Sequence, residues 1–200
     1  MHILNGFDLT NNGCEGSIPR GMDKLSFLKT FNVNYNNLTG PIPSDLGDCE
    51  RLEFIHASGN QLCGELQEDF LIKFQTLRIL DLSFNQMEGT LPDAFATLSK
   101  MQELNLAGNS FTGVLPESMS ALTNLRQLKL YSNQLSGDIP DYLSRMDKML
   151  DLNLSQNRYG RYGTCSTHAI SLCVCVCVVQ GDVSYNTAVC IKRCLFWSCM

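Results

Sequence analysis

This chain of 200 residues contains no block of basic residues. Its 15 Lys and Arg residues are outnumbered by 20 Asp and Glu residues, which gives a formal net charge of −5 at pH 7. Proteins that bind nucleic acid neutralise its phosphates with clustered positive charge. The composition therefore argues against nucleic acid as a partner.

The sequence also lacks the motifs of common catalytic sites. It has no glycine-rich phosphate loop, no G-x-S-x-G, no H-E-x-x-H and no kinase signature set. Its three histidines, His2, His56 and His168, are scattered, and no candidate nucleophile accompanies His56 in its own segment. We expect no catalytic, cofactor-binding or metal-binding residues, and we predict that the chain is not an enzyme.

Long apolar runs and an export signal are missing as well. A transmembrane helix needs about 20 apolar residues, whereas residues 169–179 supply 11 before Gln180 interrupts them. Residues 1–8 contain neither the charged segment nor the apolar run of a secretory signal. The sequence predicts no membrane span and no signal peptide in this chain.

What the chain does have is a regular spacing of asparagine. Each of these asparagines ends the nine-residue phrase L-x-x-L-x-L-x-x-N, in which other apolar residues sometimes replace Leu. They lie 24 residues apart with one step of 25, at Asn12, Asn36, Asn60, Asn85, Asn109, Asn133 and Asn157. A period of roughly 20 to 29 residues with this leucine spacing is the signature of a leucine-rich-repeat solenoid.

The phrase itself predicts a strand. In residues 77–85, alternation places Leu80 and Leu82 on one face and Ile79, Asp81 and Ser83 on the other. We expect the first face to be core and the second to face water. Repeated along the chain, this predicts an α/β repeat solenoid, a right-handed coil with a concave parallel sheet of about seven strands and little regular helix.

The asparagines have a structural explanation. After each strand the backbone turns inward, and its buried N–H and C=O groups need hydrogen-bond partners. An amide side chain offers donors and an acceptor together. We therefore predict a ladder of stacked asparagines and assign none of the seven to a binding site.

A second phrase follows the asparagine in most repeats. It reads L-T-G-P-I-P at residues 38–43, F-T-G-V-L-P at 111–116 and L-S-G-D-I-P at 135–140. This phrase, with its 24-residue period, resembles the plant-specific class of leucine-rich repeat found in ectodomains of receptor-like kinases and receptor-like proteins. The resemblance covers residues 3–158 and implies a second small sheet on the flank of the solenoid.

The resemblance also implies where the parent protein acts. Members of that family are exported and start with a helical cap containing paired cysteines, which is absent here. We therefore expect Met1 to be an internal methionine and the chain to be a fragment of an extracellular or cell-surface parent. One repeat departs from the phrase, with Gln67 in place of proline and one extra residue. There we expect a local bulge on the convex side.

The carboxy-terminal segment breaks the pattern. We place the solenoid, with seven repeats of which the last is incomplete, at residues 1–158 and a Cys-rich tail at 159–200. Residues 173–178 alternate Cys and Val, as a simple nucleotide repeat would encode. Intron read-through or a divergent splice end is favoured over a disulfide cap, a zinc site or a membrane helix, and we expect an unstructured tail.

Three cysteines lie within the repeats. Cys14 and Cys49 are expected in the core, whereas Cys63 is assigned no chemistry.

Function is then expected on the concave sheet. Exposed aromatic side chains are enriched at binding hot spots, and the polar residues between the inward leucines form a column beside them. The residues we predict to contact a partner are Tyr35, Phe54, His56, Asp81, Phe84, Lys129 and Tyr131. Of the two N-x-[ST] acceptors, Asn37 is the predicted glycosylation site, since a glycan on Asn153 would block the concave sheet.

Three functions fit this surface. The first is a recognition module for a peptide or protein ligand, with a co-receptor as a further partner. The second is a partial product of a receptor serine/threonine kinase that lacks its kinase domain. The third is a secreted protein resembling the polygalacturonase inhibitors. Genomic sequence downstream of codon 158 separates them.

Overall fold

Short strands form where the sequence alternates apolar and polar residues, and again after most of the repeat asparagines. The computed structural model describes residues 4–162. Within that range the strands are, in chain order, β1 (Gly6–Asp8), β2 (Glu15–Ser17), β3 (Thr30–Asn32), β4 (Asn37–Gly40), β5 (Phe54–His56), β6 (Gln61–Glu65), β7 (Ile79–Asp81), β8 (Gln86–Glu88), β9 (Glu103–Asn105), β10 (Gln127–Lys129), β11 (Ser136–Ile139), β12 (Asp151–Asn153) and β13 (Arg158–Tyr162).

Seven of these strands form one parallel sheet, which we name the concave sheet. Its strand order is β1-β3-β5-β7-β9-β10-β12. The register follows the repeat, so that Leu80 of β7 pairs with Ile55 of β5 and Leu104 of β9. All three side chains are at most 1% exposed, because successive side chains of a strand point to opposite faces. The predicted sheet of seven parallel strands is confirmed.

A second set of strands lies on the flank, as the resemblance implied. One flank sheet has the order β2-β4-β6-β8, and β11 pairs with β13 in another. Between them, an isolated parallel bridge joins Thr90 to Thr112. The glycine of the second phrase is required here: Gly137 has φ 77°, and a Cβ on it would lie 2.7 Å from Cγ1 of Val114.

Single turns of 3₁₀ helix complete most coils on the convex side. They span Met22–Lys24, Ser44–Asp48, Phe95–Thr97, Glu117–Ala121 and Asp141–Arg145. The departing repeat contains an α-helical turn, α1 (Glu68–Leu71), instead. Its extra residue widens the turn, so that the Ile72 N–H donates to the Glu68 carbonyl at 3.0 Å. The predicted convex bulge thus takes the form of one α-helical turn.

The asparagine ladder follows the strands, with the bonding pattern that the repeat predicts. In its middle, Asn85 Nδ2 donates to the carbonyls of Ala57, Leu82 and Ser83 at 2.9, 3.1 and 3.2 Å. Its Oδ1 accepts the Leu62 N–H of the preceding repeat at 2.9 Å. Equivalent bonds are made by Asn36, Asn60, Asn109, Asn133 and Asn157. Each of these six asparagines therefore ties two neighbouring coils together, whereas Asn12 in the first described repeat donates to the Thr10 carbonyl of its own repeat at 3.0 Å.

Burial corrects the expected outer face in one respect. We expected Ser83 to face water, but it is 1% exposed, and its column neighbours Ser58 and Ala107 are also buried. These small side chains lie below the larger ones around them. The two serine hydroxyls bond each other at 2.9 Å, so this part of the outer column belongs to the core.

The cysteines and the last strand add two details. Cys49 is buried at 2% exposure, as expected, whereas Cys14 packs only partly against the core because the first described repeat has a neighbour on one side. Strand β13 continues past the predicted boundary at residue 158, and its Tyr159 is buried. The predictions for the tail beyond it lie outside the described residues.

Candidate recognition surface

The middle residue of each outward-facing stretch forms what we name the central column. Strand pairing aligns its seven members across the concave sheet, in the order Asp8, Asn32, His56, Asp81, Asn105, Lys129 and Asn153. Most of these side chains are half-buried and none contributes to the ladder. The column is therefore a polar stripe along the solenoid axis.

Short local hydrogen bonds fix several side chains of the central column. Asp81 Oδ1 accepts from the N–H and hydroxyl of Ser83, at 3.0 and 2.6 Å. Asp8 does the same with Thr10, at 2.9 and 2.7 Å, and the bonds from Thr10 lower the pKa of the Asp8 carboxyl. Carboxylates held in this way are oriented before any ligand arrives.

A shallow depression of about 90 Å³ lies at the centre of the concave sheet. Three predicted contact residues, His56, Asp81 and Lys129, line it together with Ile79, Glu103, Leu104, Asn105 and Gln127. The last group is not in the predicted contact set, although Asn105 is in the predicted polar column and Ile79, Glu103 and Gln127 occupy the same repeat position as the predicted Phe54. That shared position is the signal that would have found them.

Charges around the depression are only partly balanced. Lys129 Nζ lies 3.4 Å from Asp151 Oδ2, whereas Glu103 makes no ion pair within residues 4–162. Near the start of the strands, Glu53 bridges Lys29 at 3.7 Å and Arg78 at 3.2 Å. Solvent-exposed pairs of this kind contribute about 0–1 kcal/mol, so these charges are available to a partner at little cost in stability.

The predicted aromatic anchors differ in exposure. Tyr35 and Phe84 are 61% and 52% exposed, whereas Phe54 and Tyr131 are half-buried. The rings of Phe84 and Tyr131 meet edge to face, with centroids 6.2 Å apart. Sequence reasoning treated all four as exposed; only Tyr35 and Phe84 are.

Tyr35 and Phe84 also adopt an unusual backbone conformation. Their φ angles are 55° and 54°, in the left-handed region that bulky residues rarely enter. Such strain costs on the order of 1–3 kcal/mol per residue. Each ring lies over the glycine of the next repeat: a Cβ on Gly59 would be 2.7 Å from Tyr35 Cδ1, and one on Gly108 would be 2.6 Å from Phe84 Cδ1.

The structure also locates the remaining residues that the sequence singled out. Asn37 is exposed at the first position of β4, and Asn153 is half-buried in the central column, where its Oδ1 accepts the Ser155 hydroxyl at 2.8 Å. Burial raises the pKa of the Cys49 thiol to about 11. Among residues 4–162, no group of three or more His, Cys, Asp or Glu side chains is arranged to hold a metal ion.

Comparison with known proteins identifies the repeats. Two family models for the leucine-rich repeat match this chain, one over residues 75–135 and the other over residues 27–49. Receptor-like protein 35 of Arabidopsis thaliana is 33% identical over 104 residues, which is 52% of this chain and 11% of that protein. The chain thus spans about a tenth of the length of this relative. In residues 4–162, no helix has the length and apolar composition that crossing a membrane requires.

Solved structures give the same result. The Arabidopsis receptor kinase HAESA, in complex with the peptide hormone IDA and the co-receptor SERK1, is 35% identical with a TM-score of 0.76, over 79% of this chain and 26% of that one. The plant peptide hormone receptor RGFR1, in complex with RGF2, is 36% identical with a TM-score of 0.70, over 72% of this chain and 23% of that one. Both are plant receptors solved in complex with a partner, which for HAESA includes a peptide hormone.

Proposed function

From the premise that this chain is a leucine-rich-repeat solenoid of the plant receptor ectodomain type, we propose that its concave sheet recognises a peptide or protein ligand. The observation that carries the proposal is the central column. Its side chains face outward in register across seven strands, whereas the core and the ladder use the other positions. A sheet of seven strands spaced about 4.8 Å apart is roughly 30 Å wide, enough for an extended peptide.

Local chemistry supports the same face. The depression combines the oriented carboxylate of Asp81, the ammonium group of Lys129 and the carboxylate of Glu103, which makes no ion pair within residues 4–162. Polar groups that converge in a concavity set the orientation of a ligand, and exposed aromatic side chains supply contact area. Tyr35 and Phe84 provide that area beside the depression, and the other predicted contacts, Phe54, His56 and Tyr131, complete the face.

Solved relatives support a receptor context. HAESA is described in complex with a peptide hormone and a co-receptor, and RGFR1 as a peptide hormone receptor in complex with RGF2. We propose that the parent of this chain is a cell-surface receptor-like protein or receptor kinase of the same kind. Coding sequence downstream of codon 158 tests this: a membrane span, with or without a kinase domain, supports the proposal, and a short secreted end supports an inhibitor-like protein instead.

A binding experiment tests the concave sheet directly. A library of random twelve-residue peptides is selected against the full chain, and the affinity of each selected peptide is measured for two variants. The test variant is Asp81→Asn with Lys129→Gln; the matched convex control is Asp93→Asn with Lys100→Gln. We expect the concave variant to lose about tenfold in affinity, equivalent to about 1.4 kcal/mol. The control variant should bind with the same affinity as the unsubstituted chain. Peptides that are lost only with the convex variant would overturn the proposal.

A further inference from the structure

Beside the central column runs a row of positions without charge, in which Ser58, Ser83 and Ala107 are buried and the other members are at least partly exposed. In each repeat, the two positions that precede the ladder asparagine hold only amide, hydroxyl, aromatic or small residues. We name these 14 positions the neutral strip: Thr10, Asn11, Asn34, Tyr35, Ser58, Gly59, Ser83, Phe84, Ala107, Gly108, Tyr131, Ser132, Ser155 and Gln156. The central column, by contrast, carries Asp8, Asp81 and Lys129. A neutral partner therefore fits the strip better than a charged one.

Two aromatic rings mark a regular interval along the neutral strip. Tyr35 and Phe84 are two repeats apart, and both rings lean the same way, over Gly59 and Gly108 of the following repeat. Because they lean in one direction, their separation equals two strand spacings, about 10 Å. The rings can occupy these places because neither glycine carries a side chain.

The neutral strip also carries hydrogen-bond donors that have no partner in the described part of the chain. Asn34 Oδ1 accepts the Ser58 N–H at 2.7 Å, which fixes the amide and leaves its Nδ2 unbonded in the described chain. The hydroxyls of Tyr35 and Tyr131 likewise make no hydrogen bond within residues 4–162. These groups are placed to donate to carbonyl oxygens of a bound chain.

We propose that the neutral strip binds an uncharged, proline-rich peptide segment in the polyproline II conformation, with prolines three residues apart resting on Tyr35 and Phe84. Polyproline II rises about 3.1 Å per residue with three residues per turn, so prolines at i and i+3 are about 9.3 Å apart on one side. This interval matches the ring spacing. The conformation has no internal hydrogen bonds, so its carbonyls are free to accept from Asn34, Tyr35 and Tyr131.

The inference rests on the proposed function and narrows it. Aromatic-lined grooves recognise proline-rich segments because such segments are already ordered before binding. The segment would run along the solenoid axis, across the strands, parallel to the central column. Charged residues elsewhere in the same ligand would then face Asp81, Glu103 and Lys129.

Nuclear magnetic resonance tests the inference with two synthetic peptides. The probe has four Pro-Ala-Gln units with blocked ends; the comparison peptide has the same composition, with no two prolines three positions apart. The readout is the amide signals of Gly59 and Gly108 in the isotope-labelled full chain, because the two rings lie against these glycines. We expect the periodic peptide to shift both signals saturably, with at least tenfold higher affinity than the comparison peptide.

Matched variants separate contact from folding. Tyr35→Gly and Phe84→Gly remove the rings and keep the backbone, since glycine already occupies this position at Gly59 and Gly108; both should abolish the shifts. Val114→Ala, which is exposed on the flank, should leave them unchanged. Equal binding of the two peptides would overturn the inference. So would shifts that are produced by cellohexaose, an uncharged oligosaccharide, and by neither peptide.

Failure here is distinguishable from failure of the proposed function. Suppose that the library peptides need Asp81 and Lys129, lack periodic prolines and bind the Tyr35→Gly and Phe84→Gly variants normally. Recognition by the concave sheet would then stand, and the polyproline assignment would be overturned. Peptides that bind only the convex side would overturn both.

Discussion

Two asparagines four residues apart illustrate how one repeat unit builds both the scaffold and the surface. Asn109 belongs to the ladder: its Nδ2 donates to the carbonyls of Leu82, Leu106 and Ala107, and its Oδ1 accepts the Met87 N–H. Asn105 belongs to the central column and faces outward. Its two side-chain bonds, at 3.2 Å to Ser83 Oγ of the preceding repeat and at 3.3 Å from the Ala107 N–H of its own repeat, are made on the outer side of the sheet. Both residues are asparagines within the same repeat. The role of each is decided by the groups to which its side chain bonds.

The largest effect we expect comes from replacing each of these two asparagines by leucine in a separate variant. Asn109→Leu leaves one N–H and three carbonyls of the turn without their partner, whereas Asn105→Leu removes groups that water can replace. We expect Asn109→Leu to lower the free energy of unfolding by about 1–3 kcal/mol more than Asn105→Leu. Urea titration of both variants measures the gap. Equal losses would mean that the assigned strand register is wrong.

A second prediction concerns two glycines with a left-handed backbone, of which Gly108 belongs to the neutral strip and Gly13 follows the first repeat asparagine. Gly108 and Gly13 have nearly equal φ, 65° and 64°, yet a Cβ would meet the Phe84 ring at Gly108 and nothing within 4 Å at Gly13. We expect Gly13→Ala to cost about 1–2 kcal/mol from left-handed strain alone, and Gly108→Ala to cost more.

The Phe84→Gly background provides the control for this pair. Without the ring, the extra cost of Gly108→Ala should disappear, which a double-mutant cycle in urea measures. If Gly108→Ala still costs more than Gly13→Ala in the Phe84→Gly background, the collision with Phe84 is not the source of the extra cost. The Phe84 ring would then be able to move away from Gly108.

A third prediction addresses the charges of the central column. Lys129 is partly exposed and pairs with Asp151 at 3.4 Å, so Lys129→Gln should change the free energy of unfolding by less than about 1 kcal/mol. Thermal unfolding at low and at high salt measures it, and the small difference from the parent should shrink as salt screens the pair. A larger loss would place Lys129 with the ladder as a structural residue.

The scaffold was predictable from the sequence because both of its rules are periodic. Alternation with period two fixed which residues of 77–85 point inward, and the asparagine interval fixed the coil length. The burial of Ser83 was not predictable, since it depends on how larger neighbours cover a small side chain. The depression was missed in part because Glu103 and Gln127 reach it from neighbouring repeats. The left-handed backbone of Tyr35 and Phe84 was predictable in principle. The repeats that follow them have glycine, Gly59 and Gly108, at the same position, which indicates a backbone conformation that favours glycine.

The smallest effect concerns the hydrogen-bonded carboxylate at the exposed start of the central column. Hydrogen bonds from Thr10, first its side chain and then its backbone, lower the pKa of Asp8. A lowered pKa means that the ionised form is favoured in the folded state, so any stabilisation is present at neutral pH and is lost as pH falls through the folded-state pKa. Thr10→Ala removes the side-chain bond, and the pKa of Asp8 should rise towards its usual value. Carboxyl carbon chemical shifts followed through an acid titration measure that change, with Asp93, exposed on the convex side, as the internal reference. A pKa of Asp8 that is unmoved by Thr10→Ala would mean that the hydroxyl does not hold the carboxylate in solution, and the central column would then be less ordered before binding than the geometry implies.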